Sequence, residues 1–479
     1  MKSSGDKKKI QHLFSRAAFG ISVNELNDRK RKELHTQVDE LFKESEIYTP
    51  LAFIDSKNME TMQPGDRKNL SEEERKKRNQ ERRHRMDELN LAWLQRLWTD
   101  PARLRERMTF FWHGHFACRI EAPWAMQDLN NIHRKYALGS FRDMLFAVSK
   151  SPAMLQFLNN QQNRKMHPNE NFAREVMELF TLGRGNYTED DIKEAARAFT
   201  GWGFDPANGS FVFKEQTHDT GDKTLFGKTG PFNGDDVLNA LLERKETAYY
   251  ICKKIYRFFV NDEADEKKVR ELASVFYDSK YDTGILMKHL FNAEWFYESR
   301  HIGAKIKSPI DLLAGIHRLI PVHYENTEGL LVLQRALGQA LFYPPNVSGW
   351  AGGRGWIDSS SLMFRLKTPS LLLNNGIIEM EPKDELLDEK SRMMMIQQRQ
   401  KREQQQLKGP VLSKLKPTPD WNALLNAVGT DKTRDELIAD VLVPAAPSQA
   451  LLNSLPALTA TNHKEFILEL LSAPEYQMA

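Results

Sequence analysis

The segment Pro168-Asn169-Glu170-Asn171-Phe172-Ala173-Arg174-Glu175-Val176-Met177-Glu178-Leu179-Phe180 decides the fold class of this chain. Phe172, Val176, Leu179 and Phe180 recur three and four residues apart, the spacing that gathers apolar side chains on one face of a helix. The same periodicity extends in both directions. Upstream, Ser71-x-x-Glu74 is a capping box that opens a highly charged stretch, and an apolar face emerges at Leu89, Leu91, Leu94 and Leu97. Residues 70–88 therefore read as a helix projecting into water. Asp100-Pro101 restarts the chain as a cap followed by proline, and Leu104, Met108 and Phe111 give the next helix its buried stripe. Further helices are expected at about 124–138 and 140–158.

Downstream, Gly183-Arg184-Gly185-Asn186 is a turn, and Thr188 caps a helix over 188–202 with Glu189, Asp190 and Asp191 against its dipole. From Gly203 to Gly234 the pattern changes to Gly, Thr, Asp and Phe, with alternation at Ser210-Phe211-Val212-Phe213, so a long loop or small hairpin is expected at about 203–233. Helical periodicity returns at about 234–260, 263–279, 282–298, 308–320, 328–341 and 359–373. The expected architecture is mainly α: a helical main domain over 10–373, an exposed charged and Gln-rich segment over 381–410, and a helical part over 417–479 that docks on the body.

Composition fits that outline. The chain has 479 residues, 68 Lys and Arg against 65 Asp and Glu, a net charge of +3, 40% hydrophobic and 28% charged residues, which excludes a mostly disordered, collagen-like or coiled-coil chain. Arg75-Lys76-Lys77-Arg78 and Arg82-Arg83-His84-Arg85 are interleaved with Glu72, Glu73, Glu74 and Glu81, so they read as a solvated helix face and not as a nucleic-acid surface. Cys118 and Cys252 make no disulfide framework or CxxC pair. The basic N-terminus lacks the apolar core of a signal peptide, and no apolar run approaches the ~20 residues a membrane span needs. The expected location is the cytoplasm.

Four segments carry candidate chemistry. Phe110-Phe111-Trp112-His113-Gly114-His115-Phe116 places two imidazoles two apart, which converge on one ion only if Gly114 breaks the helix; otherwise His115 joins the apolar stripe and His113, a surface residue, points elsewhere. Glu175 and Glu178, on one side of a helix, suit cation binding or an acid and base pair, since shared burial drives two carboxyl pKa values apart; Arg174 is placed to pair with Glu178. Thr217-His218-Asp219-Thr220-Gly221-Asp222-Lys223 offers a loop His, Asp and Lys, while the Gly221–Thr229 string misses the phosphate-loop spacing. Tyr343-Pro344-Pro345-Asn346-Val347-Ser348-Gly349-Trp350-Ala351-Gly352-Gly353-Arg354-Gly355-Trp356 holds aromatics on a stiff loop, as pocket walls or as a lock on the body. Gly-x-Ser-x-Gly, Gly-x-Gly-x-x-Gly, His-Glu-x-x-His and kinase motifs are missing from the sequence.

Taken together, Phe14-Ser15-Arg16-Ala17-Ala18-Phe19-Gly20, Trp112-His113-Gly114-His115-Phe116, Asn169 to Glu175 with Glu178 to Gly183, Tyr187-Thr188-Glu189 with Ala195 to Trp202, His218-Asp219 with Lys223, and Pro344-Pro345-Asn346-Val347 with Gly349-Trp350 resemble the bacterial family called domain of unknown function 1800 (DUF1800). The resemblance runs from about residue 10 to the C-terminus and brings no reaction with it. It implies that the polar motifs share one site. Members of the family are often exported and encoded beside a sulfatase-like family, and many carry His where this chain has Phe180.

The expected function is divalent-metal-assisted hydrolysis, with His113, His115 and Asp219 as ligands, Glu175, Glu178, His218 and Lys223 as catalytic groups, and Asn169, Arg174, Trp202, Asn346 and Trp350 contacting an unidentified substrate. The alternative is a non-catalytic binding or assembly protein with a partner enzyme, its polar motifs serving as structural networks.

Overall fold

The computed structural model describes residues 4–54, 70–374, 415–429, 432–441, 446–459 and 461–479; the expected exposed segment at 381–410 lies outside them. The protein is mainly α. In chain order the helices are α1 (Ser4–Ala17), α2 (Val23–Arg29), α3 (Leu34–Glu44), α4 (Glu72–Thr99), α5 (Arg103–His115), α6 (Pro123–Tyr136), α7 (Phe141–Ser149), α8 (Pro152–Phe157), α9 (Asn171–Glu175), α10 (Glu189–Ala198), α11 (Gly234–Glu243), α12 (Lys245–Phe259), α13 (Glu266–Asp278), α14 (Thr283–Asn292), α15 (Pro309–Leu319), α16 (Glu328–Leu337) and α17 (Ser359–Leu373), with shorter helices after residue 420.

Local chemistry sets most boundaries. Ser71 and Glu74 form the reciprocal cap of α4, whose charged first half is mostly solvent-exposed and whose burial begins at Met86. Where one helix is expected over 140–158 there are two, because Pro152 cannot continue the first and Ser151 caps the second. Residues 234–260 divide likewise at Arg244, whose extended backbone ends α11 and precedes α12. Between α10 and α11 the chain forms two hairpins, β1 (Trp202–Phe204) with β2 (Phe211–Phe213) and β3 (Lys223–Leu225) with β4 (Lys228–Gly230). A third pair, β5 (Val322–Tyr324) with β6 (Pro417–Pro419), ties the C-terminal part to the body. Prolines 417 and 419 are tolerated because β6 has only one neighbouring strand.

One contiguous apolar core runs from Ile10 to Tyr476 and includes Trp93, Trp112, Phe116, Phe141 and Tyr256. A buried ion pair joins three helices at its centre: Glu106 on α5 accepts from Arg134 on α6 (Nε to Oε1 2.5 Å) and from Trp93 on α4 (3.0 Å). Burial opposes ionisation of Glu106, but Arg134, Arg96 and Trp93 together outweigh it and hold the carboxyl below its ordinary value. Helix α5 presents Arg107, Phe111 and His115 at four-residue intervals, and α12 presents Lys254 and Phe258 in the same way. The two stripes meet: Arg107 lies over the Phe258 ring, Phe111 packs edge-on to Phe258, and His115 meets Lys254 at 3.2 Å.

Candidate functional site

The site grows from a change in helical pitch. Helix α9 continues without interruption into a π-helical segment, Val176–Thr181, in which Leu182 N donates to Met177 O five residues back. Gly183 ends it at φ +77°, and a Cβ there would lie 2.6 Å from the Tyr250 ring, so only glycine fits. The carbonyls of its last turn are free to accept side-chain donors: Lys254 Nζ reaches Leu179 O at 3.0 Å, and His115 Nε2 reaches Phe180 O at 3.1 Å. Because a carbonyl only accepts, His115 carries its proton on Nε2, and Nδ1 accepts from Lys254. Burial pushes the Lys254 ammonium down to about 8. Burial, and then the Lys254 charge, push His115 well below its ordinary value.

On the outer side of this turn stand the two carboxylates. Glu178 accepts from Arg184 Nε at 2.5 Å and from the Tyr187 hydroxyl at 2.9 Å, not from Arg174 as its position four residues on suggests. Arg174 instead bridges Glu170 (3.1 Å) and Glu189 (2.7 Å), across to α10. Desolvation raises Glu178, but the Arg184 and Tyr187 hydrogen bonds overcome it and leave the carboxyl below its ordinary value. Glu175 is half-buried, and among the described residues no donor bonds to its carboxylate. Its pKa is raised by desolvation, then by the negative charge of Glu178. Tyr187 also forms part of the wall of an open cleft of ≈ 810 Å³, with Asp191, Glu194, Phe226 and Arg244 among its other walls.

The remaining expected site residues fall into two other groups. Helix α5 runs through Gly114 unbroken, so His113 and His115 diverge. His113 is buried and not a surface residue. Its Nε2 accepts from Phe342 N–H at 3.1 Å, its ring stands edge-on to Trp93 and 5.6 Å from Trp350, and burial pushes it down to about 3. The Pro and Gly loop docks here by contact of backbone on backbone: a Cβ at Gly349, φ +78°, would lie 2.6 Å from Gly114 O. Asn346 is exposed and uses its side chain to accept from Ser348 N at 2.9 Å.

The second group closes on itself. His218 Nδ1 lies 2.9 Å from Thr200 O, Asp219 takes two bonds from Arg197 (2.8 and 3.2 Å), and Lys223 Nζ donates to the carbonyls of Asp219 (2.5 Å) and Gly221 (2.8 Å). Arg197 holds the Asp219 carboxyl below its ordinary value, and burial lowers Lys223. Trp202 packs among Phe172, Phe199 and Phe211, and Asn169 accepts from Asn171 N at 3.0 Å just before α9. His113, His115 and Asp219 are thus not brought together, and among the described residues no three His, Cys, Asp or Glu side chains form a group able to hold a metal ion. Sequence reasoning missed Lys254, Tyr187 and Arg184. A lysine on the apolar stripe of a helix was the signal for the first, since Lys254 alternates with Phe258 at four-residue spacing.

A family model described as "Protein of unknown function (DUF1800)" matches residues 12–478. The chain belongs to the DUF1800 family. No curated protein and no solved structure matches it. Among the described residues no helix is long and apolar enough to cross a membrane.

Proposed function

We propose that this DUF1800 protein is a hydrolase whose acid and base are Glu175 and Glu178. The observation that carries the reading is that two carboxyls three residues apart are driven in opposite directions, Glu175 upward and Glu178 downward. A carboxyl with a raised pKa holds its proton to higher pH than its neighbour and can deliver it to a leaving group. One held ionised by Arg184 and Tyr187 can orient a water and take its proton, so that water adds, the scissile bond breaks and both products leave neutralised. Arg174 and Arg184 are the cations whose charge both carboxyls feel. Because His113, His115 and Asp219 are engaged elsewhere and apart, no step is routed through a metal ion.

The test is a panel of ester, phosphoester, glycoside and amide substrates, run with the wild type, Glu175→Gln and Glu178→Gln. A hydrolysed class whose kcat falls by about 10²–10⁴ in Glu175→Gln, with unchanged far-UV circular dichroism, supports the reading. Equal rates in all three proteins would overturn it.

The second reading, a binding or assembly protein, draws on the closed hydrogen-bond network of His218, Asp219 and Lys223, which leaves those groups structural. Copurification of a stoichiometric partner with a panel-inactive chain would favour it.

A further inference from the structure

The open cleft of ≈ 810 Å³ beside Tyr187 carries on its wall one cation that the fold holds in place and leaves without a hydrogen bond. Arg244 joins α11 to α12, and its backbone is tied down. Its N–H donates to Leu241 O at 3.4 Å, while Thr247 N and the Tyr281 hydroxyl donate to its carbonyl (3.1 and 3.2 Å). The guanidinium carbon sits 4.8 Å over the Phe226 ring. Phe226 is itself pinned, since Asp191 Oδ1 accepts from its N–H at 2.8 Å. With Gly227 it makes the two-residue turn between β3 and β4, at φ +50° and +79°. A bulky residue is uncommon in that left-handed region, so the ring is kept on this wall against the preference of its own backbone.

The Arg244 donors are unspent. Its one ion pair is loose, Nε to Glu246 Oε2 at 3.7 Å, and Nε is buried without a hydrogen bond. Nη1 and Nη2 also bond to no described residue, yet neither is among the buried atoms that lack a partner, so both reach solvent. The side chain is 32% exposed, and four N–H donors on these two nitrogens are open to the cleft. The other charged groups of the wall are engaged. Asp191 accepts from Phe226 N and from Thr188 (N 2.9 Å, Oγ1 2.7 Å), Glu194 from Arg197 (2.9 Å) and Thr224 N (3.0 Å), and Lys193 pairs with Asp190 at 3.1 Å.

We propose that Arg244 anchors the carboxylate of a small organic acid lying in this cleft. A guanidinium offers two parallel N–H donors and one charge, which match the two oxygens and one charge of a carboxylate. A phosphate dianion is a poorer fit, because Asp190, Asp191 and Glu194 stand on the same wall and repel a second negative charge. The free end of a peptide and a sugar acid present the same group. The claim concerns binding, and it does not rest on Glu175 and Glu178 acting as acid and base.

The test titrates the full chain, in chloride buffer at matched ionic strength, with N-acetyl-dialanine and with galacturonate, followed by saturation-transfer NMR. The amide of the first, the methyl ester of the second and methyl phosphate are the comparison probes. Wild type, Arg244→Gln, Arg244→Lys and the wall control Lys193→Met are compared after circular dichroism has checked their folding. Saturable binding of an acid, with its neutral counterpart roughly tenfold or more weaker, supports the site when that preference vanishes in Arg244→Gln, shrinks in Arg244→Lys and persists in Lys193→Met. Whichever acid binds tighter assigns the carboxylate to a peptide end or to a sugar. Acid and neutral probes that bind alike would overturn the proposal, as would a preference that survives in Arg244→Gln or is lost equally in Lys193→Met. Methyl phosphate binding tighter than both acids, or no binding of either acid up to about 20 mM, would overturn it too.

Discussion

A single carboxylate sets how far α4, α5 and α6 depend on one another. Glu106 is surrounded by Arg134, Arg96 and Trp93, and removing its charge leaves the fully buried Arg134 uncompensated. Glu106→Gln is expected to destabilise the fold by about 3–5 kcal/mol, read from urea unfolding. The sign with pH follows from the lowered folded pKa: the contribution is complete above the unfolded carboxyl value and is lost as pH falls through the folded one. The Glu175 and Glu178 pair is open to the same scrutiny. Glu178→Gln removes the like charge, so the Glu175 carboxyl, followed by carbon NMR across an acid titration, is expected to move down towards its ordinary value. The residual elevation measures desolvation. An unchanged titration would mean that the two groups do not feel each other.

At the scale of elements, two glycines on opposite sides of one contact have opposite roles. Gly349 approaches the α5 backbone at positive φ, where an added Cβ meets a carbonyl oxygen that cannot yield. Gly349→Ala is expected to cost about 1–3 kcal/mol. Gly114 lies within α5 with open space where its Cβ would stand, so Gly114→Ala is expected to raise stability by up to about 1 kcal/mol through helix propensity. Thermal unfolding of both variants checks the pair. Helix positions were legible in the sequence because caps are local: Ser71 and Thr188 open their helices in the way their side chains dictate, whereas Pro101, expected at the first helical position, precedes α5, which opens at Arg103 after Ala102. The pitch change at Val176 was not legible. The periodicity of Phe172, Val176, Leu179 and Phe180 suits either winding, and the groups that meet this turn, Lys254 and His115, come from helices distant in the chain. The same holds for β5 and β6, whose partners lie about 95 residues apart and announce themselves in neither sequence. Of the candidate site, the carboxylate pair was readable from spacing. The separation of His113, His115 and Asp219 was not, since it depends on α5 continuing through Gly114 and on Arg197 claiming the aspartate.

Across the whole molecule, lysines that the fold has withdrawn from water set an unusual pH response. Burial lowers Lys307 to about 7, and Lys254 and Lys305 to about 8, while the unfolded chain keeps all three near the ordinary value. Between these values the unfolded state binds more protons than the folded one, so stability rises with pH. The urea midpoint in chloride buffer is expected to increase from pH 7 to pH 9, and Lys307→Met is expected to flatten that rise. A midpoint that falls over this range would show that these ammonium groups are well solvated.

A core that runs from Ile10 to Tyr476 also dictates when the molecule can finish folding, because residues 305–307 pair with residues 477–479. Arg16 and its acceptor on Ala479 are 463 residues apart in the chain. At ordinary synthesis rates of about 5–20 residues per second, Arg16 emerges from the ribosome roughly 20–90 seconds before that acceptor exists. Helix α1 can already pack on α2, α3 and α5, but its Arg16 guanidinium waits for this acceptor. The N-terminal helix is among the first parts made, and its cation is among the last groups secured.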